Sequence, residues 1–374
     1  MSIEAHWGTL LGAALGSAWI ALALRVARDR RRAPPLPPPV AVPPPTTVLL
    51  PVRDEEENLG DCAASLLGQL GGPALLVIDD GSSDRTPEIL ARLAAGQPRL
   101  TALTARPLAA GWGGKVNALA TGFDSVATPW ILLTDADTRH QPELLARAHA
   151  AAAEHRLDAL SLSGRQVTDG FGESLLTPAA YALLDRMLGD WRPYARGLGP
   201  TPIANGQYFL LRTDALREIG GFAAIARDAL DDVALANKLH DAGFRIGFRR
   251  AGDALTVRMY RGARATFRGW RRNFALFVAA RPAAAAAAVA LPLGTVVTMI
   301  LALALRASAV FAICWLGGVV ASAMTRRSSA NNPFTGAFFP LDTLLLAATL
   351  ATAMVDRARG RAAPWRGRDI RILK

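Results

Sequence analysis

Four long stretches of this chain carry almost no charge, and they constrain its fold more than any other feature. Three of them contain no Asp, Glu, Lys or Arg, and only Asp342 interrupts the fourth. They cover residues 7–24, 282–305, 307–325 and 333–355. A helix needs roughly 20 apolar residues to cross a bilayer. Buried helices of soluble proteins rarely need such lengths, so the pattern predicts membrane helices.

The flanks of the first stretch decide between a retained helix and a cleaved signal peptide. Glu4 and His6 precede the stretch, whereas the basic run RVARDRRR follows it at residues 25–32. A signal peptide carries its positive charge before the apolar run. The order seen here predicts a transmembrane anchor over residues 1–27, whose C-terminal end lies in the cytoplasm.

Positive charge is concentrated beside the apolar stretches. The formal net charge is +11, and the basic runs lie at residues 25–32, 261–272 and 357–374. A polybasic edge next to a membrane helix is attracted to anionic lipid headgroups. The distribution therefore predicts a membrane surface as partner, and no nucleic acid. The two cysteines, Cys62 and Cys314, suggest neither a disulfide framework nor a thiolate zinc site.

Between the anchor and the later apolar stretches, the pattern changes twice. Residues 28–46 form a basic and Pro-rich linker, expected to be a stiff spacer that holds the next domain away from the bilayer. Over residues 47–260, five short apolar runs alternate with four amphipathic segments. The apolar runs are TVLLPV, ALLVIDD, LTALTA, WILLTDAD and DALSLSG, and the amphipathic segments are EENLGDCAASLLGQL, TPEILARLAA, KVNALATGF and PELLARAHAAAAEH. This alternation predicts an α/β domain with a doubly wound, mostly parallel sheet. Ligands of such sheets bind beyond the carboxyl ends of the strands.

Residues 261–280 combine a regular aromatic stripe with many arginines. Phe267, Trp270, Phe274 and Phe277 recur at steps of three and four. The spacing predicts an amphipathic helix in the membrane interface, with an ordinary surface helix as the alternative. Further transmembrane helices are expected over residues 281–356, followed by a basic tail over 357–374.

The last apolar stretch poses a problem of topology. Three full crossings after the α/β domain would place the arginine-rich tail outside, against the positive-inside rule. Residues 333–355 contain the break FFPLD. We therefore expect this stretch to be re-entrant, unless one of the earlier stretches does not span.

The run WILLTDADTRH ends an apolar strand with Asp135 and Asp137. Residues i and i+2 of a strand share one face, so both carboxylates point the same way. A solvated turn would explain them, since Asp is common in turns. Two carboxylates with substrate phosphates would also hold Mg²⁺ or a similar hard cation.

Three further motifs flank this one along the chain. VIDDGSSD places Asp79 and Asp80 at a strand end, and GWGGKVNAL brings Lys115 to a helix start, where backbone N–H groups and an ammonium suit a diphosphate. ALDDVALANKL places Asp231 and Asp232 at the head of a helix. Each motif alone has an ordinary explanation as a turn, a flexible loop or a helix cap. Their combination favours one site.

Together these motifs resemble the family 2 glycosyltransferases of the GT-A fold, over residues 47–273. The strand end PVRDE departs mildly from the family's P-x-x-N-E, because Asp54 replaces Asn. The resemblance implies that Asp135 and Asp137 bind Mg²⁺ or Mn²⁺, and that the Asp231–Asp232 pair supplies the catalytic base, Asp232. The donor-binding residues that it implies are Pro51, Glu55, Asp79, Asp80, Lys115 and Asp135.

A finer resemblance, to membrane-bound members that act on hopanoids, carotenoids or ceramides, concerns the acceptor side. It implies acceptor-side roles for Asn205, Gly206, Gln207, Arg268, Trp270, Trp365 and Arg366. Processive synthases of the family carry Q-x-x-R-W, whereas this chain has Thr266 and Gly269 at the Gln and Arg positions. A single transfer is therefore expected instead of polymer synthesis.

The resemblance implies an inverting, metal-dependent enzyme that moves one sugar from a nucleotide sugar, expected to be a UDP-hexose, to a hydroxyl of a membrane lipid. It would be a multi-pass protein of the cell (inner) membrane with a cytoplasmic catalytic domain. Transfer to a polyprenyl phosphate is an alternative, and so is a non-catalytic membrane scaffold. Sugar-nucleotide synthesis is disfavoured because PVRDEEENL lacks a Gly-rich, Arg-containing loop.

Overall fold

The centre of the molecule is an eight-stranded sheet. A computed structural model of the chain describes residues 3–32, 34–188, 190–228, 230–277, 282–304, 306–328, 332–359, 363–365 and 368–370. The strands of the sheet are β1 (Thr46–Val52), β2 (Ala74–Asp79), β3 (Leu100–Thr104), β4 (Trp130–Leu133), β5 (Thr138–His140), β6 (Ala159–Gln166), β7 (Phe209–Arg212) and β8 (Ile246–Val257). Their order across the sheet is β3-β2-β1-β4-β7-β6-β8-β5.

The sheet is mixed, which corrects the expectation of a doubly wound, mostly parallel one. β1 to β4 are mutually parallel, and β6 pairs in parallel with β8. However, β7 is antiparallel to both β4 and β6, and β5 is antiparallel to β8. The five predicted strands form where expected. The two antiparallel strands have only four and three residues, too few for a recognisable pattern, and antiparallel pairing needs no crossover helix to announce it.

Helices cover both faces of the sheet. Those of the globular domain are α2 (Leu59–Leu67), α3 (Thr86–Gly96), α4 (Gly114–Phe123), α5 (Leu144–Glu154), α6 (Phe171–Leu188), α7 (Arg192–Ala195), α8 (Thr213–Glu218), α9 (Asp231–Asp241) and α10 (Ala263–Phe277). Side chains of β1 alternate between two cores: Val48 and Leu50 pack with α2, α3 and α5, and Leu49 packs with α4, α8 and α9. The predicted helices α2 to α5 are all present.

Helix α10 forms where an amphipathic helix was expected, but its aromatic stripe packs against protein. Trp270 and Phe274 are only 3% and 1% exposed, in a cluster with Leu176 and Leu183 of α6. The apolar face therefore docks the helix on the rest of the chain, and its position in the membrane interface remains a prediction. The end of the expected segment, residues 278–280, lies outside the described residues.

Four helices make up the apolar part of the molecule. They are α1 (Ile3–Arg32), α11 (Pro282–Ala304), α12 (Ser308–Ser328) and α13 (Phe339–Ala358). In the part of the chain that the structure describes, three helices are long and apolar enough to cross a membrane: Ala283–Ala304, Ser308–Arg327 and Pro333–Ala358. In α1, the apolar part within the described residues is the shorter Gly12–Arg25. Membrane association is therefore plausible from these helices, whereas the N-terminal anchor rests on a shorter apolar length.

Helices α1 and α12 lie side by side and run in the same direction. A β-carbon on Gly12 would lie 3.0 Å from Val310, and one on Gly317 would lie 2.8 Å from Gly16. The indole of Trp19 donates a hydrogen bond of 2.9 Å to Thr295 of α11. These contacts join α1 to the C-terminal helices in one bundle.

The Pro-rich linker is docked on the α/β domain. Arg147 of α5 donates hydrogen bonds of 3.0 and 2.8 Å to the carbonyls of Pro37 and Leu36. Leu36 is buried, and the fully buried Arg249 donates to the carbonyl of Pro35. The linker therefore follows the surface of the domain.

Helices α12 and α13 are joined through a buried ion pair that also reaches α6. Arg326 of α12 is 2.6 Å from the carboxylate of Asp342 in α13. The same guanidinium donates to the carbonyl of Ser174 in α6. Pro178 has no backbone N–H and so leaves that carbonyl without its intrahelical partner. The charged Arg326 of an apolar helix thus supplies the hydrogen-bond donor that the Ser174 carbonyl of α6 lacks.

Candidate active site

Lys115 connects two of the acidic motifs. It lies in the first turn of α4, and its ammonium is 2.8 Å from Asp135 and 3.1 Å from Asp231. Asp135 follows β4, and Asp231 is the first residue of α9. The Gly-rich loop, the D-x-D motif and the Asp-Asp helix start therefore meet at one place beyond the carboxyl end of β4, although 116 residues separate Lys115 from Asp231 along the chain.

The turn from β4 to β5 presents both D-x-D carboxylates on the accessible side. Asp135 and Asp137 are partly accessible, whereas Ala136 between them is 3% exposed and belongs to the core. Two carboxylates on one turn form a hard oxygen donor set that fits Mg²⁺ or Mn²⁺ when substrate phosphates complete the coordination. Within the described residues no cluster of three His, Cys, Asp or Glu side chains forms a ready-made metal site.

Asp232 has the electrostatic environment of a proton acceptor. Burial and the neighbouring charge of Asp231 raise the pKa of Asp232 to about 7, against the opposing effect of Lys115. Its carboxylate accepts a hydrogen bond of 2.8 Å from the N–H of Val233, which fixes it at the helix start. For Lys115, burial favours the neutral form, but the surrounding carboxylates outweigh it and raise its pKa, so the ammonium stays charged.

A narrow cleft adjoins these groups, and the cavity inside it measures about 10 Å³, room for roughly one water molecule. Gly206 forms part of its wall, and a β-carbon there would lie 2.9 Å from both the Lys115 ammonium and the Asp135 carboxylate. A β-carbon at this position would therefore displace one or both of the charged groups. The cleft is lined by Lys115, Leu119, Leu133, Thr134, Gly206, Phe209, Phe222, Ile225, Asp231, Asp232 and Leu235.

The remaining donor-side residues lie at the ends of β1 and β2, which are adjacent and parallel. Pro51 is in β1, and Glu55 follows it and accepts a hydrogen bond from Asn58. Asp79 accepts hydrogen bonds from the N–H and hydroxyl of Ser82. The carbonyl of Asp80 accepts one of 2.6 Å from Arg53.

Asp54, which replaces the family's Asn, adopts a left-handed backbone conformation with φ 52°. Asp tolerates this region better than most residues. Its carboxylate accepts a hydrogen bond of 2.7 Å from the N–H of Ser83, so the substitution preserves a contact between the two strand ends.

Gln207 is buried, so its side chain belongs to the structure around the cleft. Its amide nitrogen donates a hydrogen bond of 2.8 Å to the hydroxyl of Tyr181 in α6, and its amide oxygen accepts a hydrogen bond from the N–H of Gly164. Asn205 accepts a hydrogen bond from the N–H of Gln207. These contacts hold the loop that places Gly206 over the ion pair.

The other acceptor-side residues are dispersed. Trp270 is buried, and its indole N–H donates a hydrogen bond of 3.3 Å to the hydroxyl of Thr177, whereas Arg268 is exposed on α10. Trp365 lies in the short strand β9 (Ala363–Trp365), which pairs with β10 (Arg368–Ile370). Arg366 lies outside the described residues.

The sequence pattern contained a further signal. In the run from Thr134 to His140, burial alternates strictly, so that Thr134, Thr138 and His140 point inward beneath the two acids. Polar side chains on the core side of a strand need hydrogen-bond partners. Two hydroxyls and an imidazole at these positions thus indicated a supporting network below the D-x-D turn.

Comparison with known proteins identifies the domain. The family profile described as Glycosyl transferase family 2 matches residues 47–233, half of the chain. The mannosyltransferase PcManGT from Pyrobaculum calidifontis, solved with GDP-Man and Mn²⁺, is 20% identical over 94% of this chain and 99% of its own, with a TM-score of 0.56. At this identity the likeness shows the fold, which is of the GT-A type.

Two other solved structures are similar at lower scores. TarS from S. aureus, solved as residues 1–349, is 13% identical over 88% of this chain and 97% of its own, with a TM-score of 0.42. A mycobacterial protein is 15% identical over 68% of this chain and 76% of its own, with a TM-score of 0.40. No curated protein sequence matches the chain. Because the family profile covers half of its residues, the chain belongs to glycosyl transferase family 2 and is a glycosyltransferase.

Proposed function

We propose that the enzyme transfers one sugar, with inversion, from a nucleotide-diphosphate sugar to a hydroxyl group of a membrane lipid. The observation that carries the proposal is the convergence of Lys115, Asp135 and Asp231 beside a cleft, with Asp232 in its wall. One cation and a row of carboxylates at the carboxyl edge of a sheet suit a diphosphate donor that arrives with a divalent metal.

The donor is assigned to the side of the cleft formed by β1, β2 and α4. Asp79 and Asp80 would contact the nucleoside, and the Lys115 ammonium, charged at neutral pH, would contact the diphosphate. Asp135 and Asp137 would hold the metal. Bound Mg²⁺ or Mn²⁺ would supply positive charge against the leaving diphosphate. Our proposed donor is a UDP-hexose, and the GDP-Man and Mn²⁺ bound by PcManGT make GDP sugars the comparison to test.

Asp232 is assigned as the general base. A carboxylate with a pKa of about 7 is half ionised at neutral pH and accepts a proton more readily than an ordinary Asp. It would remove the proton from the acceptor hydroxyl as the oxygen attacks the anomeric carbon. A single displacement from the face opposite the leaving group inverts the configuration.

The membrane assignment rests on the helices that adjoin the catalytic domain. α11 and α12 have the length and apolar composition of spans, and α1 packs along α12 in the same direction. The proposal places α1, α11 and α12 across the cell (inner) membrane and the catalytic domain on its cytoplasmic face. An acceptor that partitions into the same bilayer would meet the cleft at the membrane surface, which favours a lipid.

Contacts along α13 support the re-entrant alternative for the last apolar stretch. The ring of Phe339 packs on Gly318, ten residues before the end of α12 and so about 15 Å below that end. Three residues later Asp342 meets Arg326, near the end of α12, and Asp356 pairs with Arg271 of α10. The helix thus starts beside the middle of α12 and returns to the catalytic domain. The tail after it would remain on the catalytic side, in agreement with the positive-inside rule.

The decisive experiment is a transfer assay with the full chain in nanodiscs that contain extracted membrane lipids. UDP- and GDP-hexoses are supplied with Mn²⁺ or with EDTA, and the lipid product is analysed by mass spectrometry and by NMR of its anomeric proton. We expect metal-dependent formation of a lipid with one added sugar of inverted configuration. Transfer that persists in EDTA, or retention of configuration, would overturn the mechanism. Transfer only to a polyprenyl phosphate would replace the hydroxyl acceptor.

The topology has its own test. A single cysteine is introduced after residue 358, and a second variant carries one at Ser308, the start of α12. Labelling with a membrane-impermeant maleimide in sealed inverted vesicles should modify the first cysteine, on the outward-facing cytoplasmic side, and spare the second, on the inner side. The native Cys62 and Cys314 are buried and should not react. Protection of the first cysteine would show that α13 crosses the bilayer.

A further inference from the structure

The turn that carries the two D-x-D carboxylates is held from inside the domain by a threonine. Thr138, the first residue of β5, is completely buried, and its hydroxyl donates a hydrogen bond of 2.7 Å to the backbone carbonyl of Asp135. This bond closes the turn Asp135–Ala136–Asp137 from below. The Cys62 thiol, a weak donor, lies 3.7 Å from the same carbonyl.

The threonine is itself fixed by its neighbours. His140 places Nε2 2.9 Å from the Thr138 hydroxyl, and Thr134 lies 3.1 Å from it. Burial lowers the pKa of His140 to about 3, so the imidazole is neutral. The Thr138 proton is directed at the Asp135 carbonyl, so we assign the imidazole proton to Nε2, which then donates to Thr138.

The same network extends to the opposite wall of the cleft. Thr134 donates a hydrogen bond of 2.7 Å to the carbonyl of Gln207, next to Gly206. The inward side chains below the acids thus tie the β4–β5 turn to the loop that lies over Lys115. Thr138 and His140 are buried and do not line the cleft, so any effect they have on bound substrate or metal must pass through the turn.

We propose that Thr138 is a positioning residue for metal and donor binding: its hydroxyl fixes the turn and thereby the separation and direction of the Asp135 and Asp137 carboxylates. The inference rests on the proposed function, which assigns the metal to these two acids. Groups that orient metal ligands without touching the metal typically change metal affinity by 10–100-fold when removed.

Two substitutions separate positioning from packing. Thr138→Val keeps the shape and fills the core but removes the hydroxyl. Thr138→Ser keeps the hydroxyl and removes one methyl group. A matched control is Thr213→Val. Thr213 is equally buried and donates a hydrogen bond of 2.6 Å to the carbonyl of Thr128, which lies just before β4, at the opposite end of that strand from Asp135.

The test measures Mn²⁺ binding by the loss of the free-ion EPR signal on titration of the full-length protein in nanodiscs with UDP, after subtraction of the signal lost to the same concentration of UDP alone. Thr138→Val should raise the Mn²⁺ dissociation constant 10–100-fold, and Thr138→Ser should stay within about threefold of the parent. Thr213→Val should leave the constant unchanged while lowering the unfolding temperature as much as Thr138→Val does.

The possible results separate a failure of the Thr138 assignment from a failure of the proposed function. If the parent protein binds Mn²⁺ and Thr138→Val binds it equally well, Thr138 serves the core alone and this inference is wrong. If Thr213→Val weakens Mn²⁺ binding as strongly, the effect reflects general loosening, which also overturns it. If the parent protein shows no Mn²⁺ binding, the proposed function fails instead.

Discussion

Replacing Asp232 by Asn tests the assignment of the base and predicts a change in pH dependence as well as in rate. The substitution keeps the size of the side chain and one oxygen that can accept the N–H of Val233. It removes the group that would take the proton. Loss of a positioned general base typically lowers the rate by about 10²–10⁴-fold.

The pKa of Asp232 sets the shape of the profile. With a value of about 7, half of the carboxylate is ionised at pH 7, about one tenth at pH 6 and about one hundredth at pH 5. The ratio kcat/KM, which reports the free enzyme, should therefore fall about fivefold from pH 7 to 6 and about tenfold from pH 6 to 5, and it should level off above about pH 8. Asp232→Asn should abolish this slope.

The neighbouring acid provides a matched control. Asp231 raises the pKa of Asp232 through its negative charge, so Asp231→Asn should move the acidic limb of the profile to lower pH. With rising pH, the stability of the fold should change in the opposite direction to activity. A raised pKa means that the folded state holds the Asp232 proton more tightly than the unfolded chain, so its contribution to stability is lost as pH rises through about 7. Asp232→Asn should therefore unfold at a higher temperature than the parent at pH 8.

Both properties can be measured on one preparation. Initial rates of sugar transfer at low donor concentration and saturating Mn²⁺, from pH 5 to 8.5, give the profile, and differential scanning fluorimetry in nanodiscs gives the stability. Parent-like turnover by Asp232→Asn would remove this residue from the base role. A flat parent profile between pH 5 and 7 would show that the proton acceptor has an ordinary carboxylate pKa.

Two further substitutions probe the site and the membrane helices. Gly206→Ala would bring a β-carbon within 2.9 Å of Lys115 and Asp135, so kcat/KM for the donor should fall at least tenfold with little change in unfolding temperature; an unchanged ratio would contradict the close approach. Arg326→Met leaves the buried Asp342 without its charge partner and should cost about 3–5 kcal/mol, measured by unfolding in denaturant. The double variant with Asp342→Leu should recover most of that loss, and a double variant as unstable as the single one would refute the explanation.

Much of the site could be predicted because it depends on local rules. The strict alternation of a strand determines that Asp135 and Asp137 share a face, and the structure keeps Ala136 between them in the core. The runs TVLLPV, ALLVIDD and WILLTDAD form strands because continuous Val, Ile and Leu residues suit a sheet buried on both faces. The meeting of Lys115 with both acidic motifs followed from the position of ligand sites in such sheets.

The parts that could not be predicted depend on contacts between distant segments. An aromatic stripe such as that of Trp270 and Phe274 suits lipid and protein equally, and its packing against α6 and α13 depends on segments distant in the sequence. The composition of the Pro-rich linker predicts a spacer. Its docking on the domain depends on hydrogen bonds that Arg147 and Arg249, distant in the sequence, donate to its carbonyls. The reversed strand β7 is too short to show a direction in its sequence.

The proline in α6 has a practical consequence. Because Pro178 leaves the carbonyl of Ser174 in need of a donor, and Arg326 supplies it from α12, the catalytic domain is not self-sufficient. Truncation before the C-terminal helices would strip a hydrogen bond from the helix that carries Tyr181 and uncover its apolar side. Soluble fragments of this protein should therefore be prone to aggregate, and Pro178→Ala, which restores the missing N–H, is a rational starting point for making one tractable.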